Sequence, residues 1–201
     1  MSDLSLIDLF RKYGNAHTGE GTDKNLTHCY GRFYENLFSS IRREVRNLLE
    51  IGACAGASCL VWAEYFPQAR IDDIDRTLEY LAFGKEHERI RYHQLDGTLK
   101  STPCALNHTM YDIVIDDGSH HPPHQLESLG IFAPFIRPGG FYVIEDIQTG
   151  EEIKQPLFQI AQEHGLMMGW HDMRRINSRY DDVCAVFTRP RIKSRLIDYP
   201  Y

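Results

Sequence analysis

Apolar residues recur along this chain at two spacings. Near the N-terminus, Leu4, Leu6, Ile7, Leu9 and Phe10 follow a helical period and predict a short amphipathic helix over 2–13. Tyr30, Phe33, Tyr34, Leu37, Phe38 and Ile41 predict a second helix over 28–43. Between them, 14–25 is rich in Gly, Thr, Asn and Asp and reads as a loop. From residue 45 onward short apolar runs alternate with helical stretches. Strands are predicted at 45–51, 69–74, 90–95, 111–115, 141–144, 166–171 and 183–188. Helices are predicted at 56–66, 77–86, 122–136 and 151–164, the last interrupted early by Pro156. Pro67, Pro138-Gly139-Gly140 and Pro190 punctuate element ends. Such alternation implies an α/β fold with a mostly parallel sheet and helices on both faces. The last two strands can pair as a hairpin, which would add one antiparallel strand.

With 201 residues and 42% hydrophobic content, one domain over 1–201 is the simplest organisation. Residues 1–44 form its helical cap or lid, and 45–201 its α/β core. A formal charge of −6 argues against a general nucleic-acid binder. The most basic run, 189–195, reads as a solvated tail or a phosphate or partner contact. The five cysteines make an odd count with no C-x-x-C pair, so no complete disulfide framework is expected. Cys54, Cys59 and Cys184 lie in apolar settings and are expected to pack as small hydrophobes. No signal peptide and no membrane-spanning run is expected. A cytoplasmic protein without membrane or nucleic-acid partners follows, with a homo-oligomer left open.

The candidate chemistry lies at strand ends. Asp116-Asp117-Gly118-Ser119-His120 follows the apolar run 111–115, and Glu145-Asp146 follows 141–144. Ligands of open parallel sheets bind at that edge, and hard divalent cations prefer carboxylate oxygens. The first predicted strand runs into Gly52-Ala53-Cys54-Ala55-Gly56-Ala57-Ser58, a small-residue turn that lets a ligand approach the backbone. It is not G-x-G-x-x-G, so the nicotinamide-dinucleotide pattern is not met. Asp75 ends the second strand, where a carboxylate can accept from ribose hydroxyls. Asp96 follows the third, where it can meet an adenine amino group. Asp72 and Asp73 are read as solvent-facing or helix-contacting. Each acid alone could also be a helix cap. His120, His121 and His124 offer a competing zinc reading, weakened by the intervening Pro122 and Pro123.

Glu50-Ile51-Gly52 followed by Asp75 resembles the nucleoside-binding half of class I S-adenosylmethionine-dependent methyltransferases, with Cys54 where many members carry a glycine. An ordered set narrows the resemblance: Gly21-Thr22-Asp23-Lys24, His28, Tyr30 and Tyr34, then 62–67, 116–120 and 144–149. It is similar to the metal-dependent sugar O-methyltransferases that tailor macrolide and related glycosides in natural-product biosynthesis, and to the cephalosporin-hydroxylase-like family. The resemblance runs from about residue 13 to 150. It implies a Rossmann-like, doubly wound sheet of seven strands. Its cofactors are S-adenosyl-L-methionine and Mg2+. Thr22, Lys24, Glu50, Gly52, Gly56, Ser58, Asp75, Asp96 and Asp116 are then expected at the cofactor. Asp117, Glu145 and Asp146 are expected on the metal, with His120 as general base. Tyr13, Tyr30 and Tyr34 are candidates to close the adenosyl site.

The expected partner is a small hydroxylated acceptor. The chain is short beside such relatives, with no separate N-terminal oligomerisation domain expected. Acceptor recognition would fall to 97–110 and 171–182, which suits a small sugar better than a large macrolide. A catechol-like acceptor, or a non-catalytic adenosyl-binding role, stays open as an alternative.

Overall fold

The computed structural model describes residues 4–14 and 21–191. Most of the basic run 189–195 and the first three residues lie outside the described residues, as does much of the loop 14–25. Seven strands form one sheet in the order β3-β2-β1-β4-β5-β7-β6. They are β1 (Asn47–Ile51), β2 (Arg70–Asp75), β3 (Ile90–Gln94), β4 (Tyr111–Asp116), β5 (Ile136–Ile144), β6 (Met167–Asp172) and β7 (Val183–Thr188). The first five pair in parallel. β7 inserts between β5 and β6 and runs antiparallel to both, so the antiparallel strand is β7. The strand order reverses between β1 and β4, which opens a crevice at their C-terminal ends.

Side chains alternate across the sheet and build two cores. Leu48, Ile113, Ile115 and Val143 face one side, with α1 (Leu6–Tyr13), α2 (Tyr30–Phe38) and α3 (Ala57–Tyr65). Leu49, Val114 and Ile144 face the other, with α5 (Pro122–Phe132) and α6 (Glu151–Glu163). Two single-turn helices, α4 (Thr102–Ala105) and α7 (Arg174–Asn177), lie in connections. Trp62 of α3 is fully buried and meets Phe10 of α1 and Tyr34 of α2 edge-on, with ring centroids 5.3 and 5.2 Å away. The two N-terminal helices therefore share a hydrophobic core with the sheet.

Several sequence expectations need correction. Residues 77–86 are turns, with no helix. The N–H groups of Ala82 and Phe83 donate to the Ala55 carbonyl at 3.0 and 2.9 Å, so they cannot close a helical ladder. Asp75 and Thr77 side chains take the next amides, those of Thr77 and Glu79, a local competition with helix that these residues favour. β5 starts at Ile136 and runs through Pro138-Gly139-Gly140, with a shifted register against β4. Pro156 sits inside a continuous α6. Of the two readings of Asp72 and Asp73, solvent-facing fails because both are buried, whereas Asp73 does contact a helix, accepting from Cys59 Sγ of α3 at 2.8 Å. Cys54 is exposed, whereas Cys59 and Cys184 are buried.

Candidate active site

A cleft of about 620 Å³ opens at the β1–β4 switch point, within the ~300–1,000 Å³ usual for small-molecule sites. Backbone bonds just beyond the strands bring its walls together. Gly52 N–H donates to Ile74 O, Asp117 N–H to Ile51 O and Glu145 N–H to Asp116 O, at 2.9, 2.9 and 3.0 Å. Each tie holds one strand end against its neighbour.

One end of the cleft is built from the β1 turn, Asp75 and Asp96. Gly52 has φ +109°, and a Cβ there would lie 2.1 Å from the Asp117 carbonyl oxygen. Cys54 takes φ +43° and aims its amide at Asp75 Oδ2, 3.2 Å away. It adopts the left-handed backbone that a glycine would adopt more easily. Asp96 accepts from the Thr98 amide and hydroxyl at 2.9 and 2.7 Å. Its slight burial opposes charge, but these bonds hold its carboxyl below the usual range. Thr22 and Ser58 also line this cleft.

The other end holds Asp117, His120 and Asp146. His120 and Asp146 have φ of +54° and +51°, a strained conformation that clusters at functional sites. His120 Nε2 lies 4.0 Å from Asp117 Oδ1 and 3.8 Å from Asp146 Oδ2. Donor atoms of these three residues fall within 4.8 Å of one another. His120 Nδ1 is buried without a hydrogen-bond partner among the described residues. Asp116 stands behind them, bonded by Ser128 and by Tyr142 at 3.0 Å. Burial pushes its pKa up to about 6 against those two donors.

Behind this end lies a layer of buried polar side chains. Lys24 Nζ reaches Asp117 Oδ2 and Glu145 Oε2, each at 2.5 Å, and Glu50 Oε1 at 3.6 Å. Burial works against its charge, but the three carboxylates outweigh it and raise the ammonium pKa well above its ordinary value. Tyr34 donates to Glu145 Oε1, and Tyr30 to Asp146 Oδ1. His28 Nδ1 lies 2.7 Å from Asp182 Oδ1 and 3.4 Å from Asp146 Oδ1.

Thr22, Gly52, Gly56, Ser58, Asp75, Asp96 and Asp116 all line the cleft, as do Asp117, His120 and Asp146. Lys24, Glu50 and Glu145 do not. The side chains of Lys24 and Glu50 turn into the buried acidic layer; Glu50 accepts from Ser58 Oγ at 2.7 Å. Glu145 turns the same way, toward Lys24 and Tyr34. Tyr30 and Tyr34 are fully buried and serve the acids; Tyr13 donates to Glu64 at 2.8 Å. Sequence reading missed Asp182, Ser128 and Gln125, whose side-chain amide donates to the Glu145 backbone carbonyl at 3.0 Å. The doubled acid Asp181-Asp182 before β7 was the available signal for the first; the other two look like ordinary helix polar residues. The competing zinc set does not assemble: among the described residues His120 clusters with Asp117 and Asp146, and neither His121 nor His124 joins them.

Residues 49–147 match a family described as a methyltransferase domain. The chain is 35% identical over 148 residues to 8-demethyl-8-(2-methoxy-alpha-L-rhamnosyl)-tetracenomycin-C 3'-O-methyltransferase of Streptomyces olivaceus, covering 68% of this chain and 37% of that protein. It is 32% identical over 129 residues to L-olivosyl-oleandolide 3-O-methyltransferase of Streptomyces antibioticus, covering 61% and 33%. The chain thus spans well under half the length of these curated relatives. Among solved structures, it is similar in fold to the MycE methyltransferase of the mycinamycin biosynthetic pathway in complex with Mg, SAH and mycinamycin VI. The TM-score is 0.72 at 23% identity, covering 98% of this chain and 57% of that one.

Proposed function

We infer that this protein is an S-adenosylmethionine- and divalent-cation-dependent O-methyltransferase of a sugar hydroxyl on a small glycoside, a reading supported by the match of residues 49–147 to a methyltransferase-domain family. The observation that carries this reading is the convergence of Asp117 Oδ1, Asp146 Oδ2 and His120 Nε2 at one end of a cleft whose other end presents Asp75 and Asp96. The named activities of the rhamnosyl and olivosyl relatives support the acceptor class.

The donor chemistry fits both the cation and the cofactor. Asp117 and Asp146 offer carboxylate oxygens of the kind Mg2+ prefers, and a cation bound there would stabilise negative charge developing on the acceptor oxygen. Asp75 and Asp96 would hold the ribose and adenine of the cofactor, which supplies an already activated methyl group. The chain's own work is then positioning and proton removal. His120 Nε2 is the base that takes the proton of the acceptor hydroxyl. The strained backbone at His120 and Asp146 keeps both side chains turned into the cleft. The Gly52–Gly56 turn and Ser58 bring backbone close to the cofactor's amino-acid end. Alignment of oxygen and methyl group supplies most of the remaining rate.

The test is mass spectrometry of products from a panel of sugars, glycosides and phenols with cofactor and Mg2+. A mass gain of one methyl on glycosides is expected, lost on replacing His120 by Ala while S-adenosylhomocysteine still binds. The loss should be about 10²–10⁴-fold, the range for general-base help. Methylation of phenols alone, or an unchanged rate in His120→Ala, would overturn the reading.

A further inference from the structure

The cleft narrows at its cofactor end. Gly97 lies just beyond β3 and Gly118 just beyond β4, and both approach the same methyl group at the end of β1. A Cβ added to either would sit 3.0 or 3.5 Å from Ile51 Cγ2. Asp96 and Ser119 flank these glycines, so they stand on opposite walls of one slot over Ile51. Ile74 and Leu95 add to its apolar lining, which suits the face of a flat base. His124, in the first turn of α5, also lines the cleft. Slight burial opposes charge on Asp96, but the Thr98 bonds, and then Arg76 and His124, favour it. The imidazole is therefore within electrostatic reach of that carboxylate. A hydrogen-bond chain runs along the Ser119 wall. Ser119 Oγ accepts from the His121 amide at 3.4 Å and lies 2.7 Å from His124 Nδ1.

We propose that His124 is a cofactor-specificity residue: Ser119 donates its hydroxyl hydrogen to His124 Nδ1, and His124 Nε2–H donates to a ring nitrogen of the adenine whose amino group bonds Asp96. The proposal rests on the cofactor reading above and goes beyond it by supplying the donor half of base recognition. The direction of the chain follows from its partners. The His121 amide can only donate, so Ser119 Oγ meets it with a lone pair and keeps its own hydrogen for Nδ1. A neutral imidazole that accepts at Nδ1 carries its proton on Nε2. Ser119 thereby fixes the tautomer that makes His124 a donor. An acceptor on one wall and a donor on the other match an edge of adenine, which sets an amino donor beside a ring-nitrogen acceptor. Guanine sets two acceptors along the corresponding edge, and would turn an oxygen toward Asp96. The pair therefore reads the base, while Ile51 and its neighbours only pack against it.

Calorimetric titration with S-adenosylhomocysteine and with its 7-deaza and 1-deaza analogues, each lacking one ring nitrogen, tests this without turnover. His124→Phe should weaken S-adenosylhomocysteine roughly three- to tenfold, the worth of one neutral hydrogen bond. One of the two analogues should bind the wild type more weakly by a similar factor. That same analogue should bind His124→Phe as tightly as S-adenosylhomocysteine does, because the bond it cannot make is already gone. Ser119→Ala should show a smaller loss in the same direction, since Nδ1 is then free to hold the proton. Mn2+ standing in for Mg2+, followed by electron paramagnetic resonance, should bind His124→Phe and the wild type alike. If both analogues keep their full penalty in His124→Phe, the imidazole does not bond the base and the proposal is wrong. If Mn2+ affinity falls along with cofactor affinity, His124 acts through the cation end and the proposal is equally wrong. Should His124→Phe fail to fold, the same comparison is read in His124→Ala. A wild type that binds no S-adenosylhomocysteine overturns the cofactor reading itself, and this assignment with it.

Discussion

At Gly52 the chain turns out of β1 with no room for a side chain. An added Cβ would sit 2.1 Å from the Asp117 carbonyl, and φ is +109°. Gly52→Ala should therefore destabilise the protein by at least ~2 kcal/mol, read as a lowered urea midpoint. It should also displace Asp117 and weaken Mn2+ binding in parallel. Tyr34 makes a different demand. Its hydroxyl donates to Glu145 in a fully buried site, and Tyr34→Phe leaves that oxygen without its donor. The expected cost is about 1–3 kcal/mol, with cofactor binding kept. These roles were partly legible in the chain. The small-residue turn marked Gly52, and a tyrosine at helical spacing marked Tyr34 as a core residue. That Tyr34 bonds an acid just beyond β5 was not legible, because hydrogen bonds across 111 residues leave no local pattern.

At the scale of elements, the helices α1, α2 and α3 meet at Trp62, whose neighbours Phe10, Tyr34 and Phe38 come from the two N-terminal helices. Trp62→Ala should cost about 3–5 kcal/mol. Because α2 also carries Tyr30 and Tyr34 to the acids, the same variant should lose Mn2+ affinity even under conditions where it stays folded. Native-state hydrogen exchange would show α2 opening before the sheet. The helical periods of α1 and α2 were readable because each has one apolar face. The false helix at 77–86 had a comparable pattern, but two of its amides, those of Ala82 and Phe83, are claimed by Ala55, a residue outside the segment. Strand β5 was read as short because Pro138-Gly139-Gly140 signals a break; the shifted register against β4 accommodates those residues within the strand.

For the whole molecule, the cleft joins strand ends from both sides of the switch point, so ligands that fill it should couple to global stability. S-adenosylhomocysteine at a hundred times its dissociation constant should add about 2.7 kcal/mol, seen as a raised denaturation midpoint. A chelator should abolish methyl transfer and Mg2+ restore it, while the chelator alone leaves the protein folded. No helix among the described residues is long and apolar enough to cross a membrane. The strand–helix alternation of the sequence determined the α/β class by itself, since apolar runs and amphipathic periods are local properties of a chain that must bury them. It likewise placed Asp75, Asp96, Asp117, His120 and Asp146 at strand ends, because a strand's end is written where its apolar run stops. Only the tertiary structure decided which way each acid turns. Glu145 and Asp146 are adjacent in sequence, yet one faces Lys24 and the other the cleft. That choice depends on Lys24, Tyr30 and Tyr34, which reach the same point from a segment more than 80 residues away.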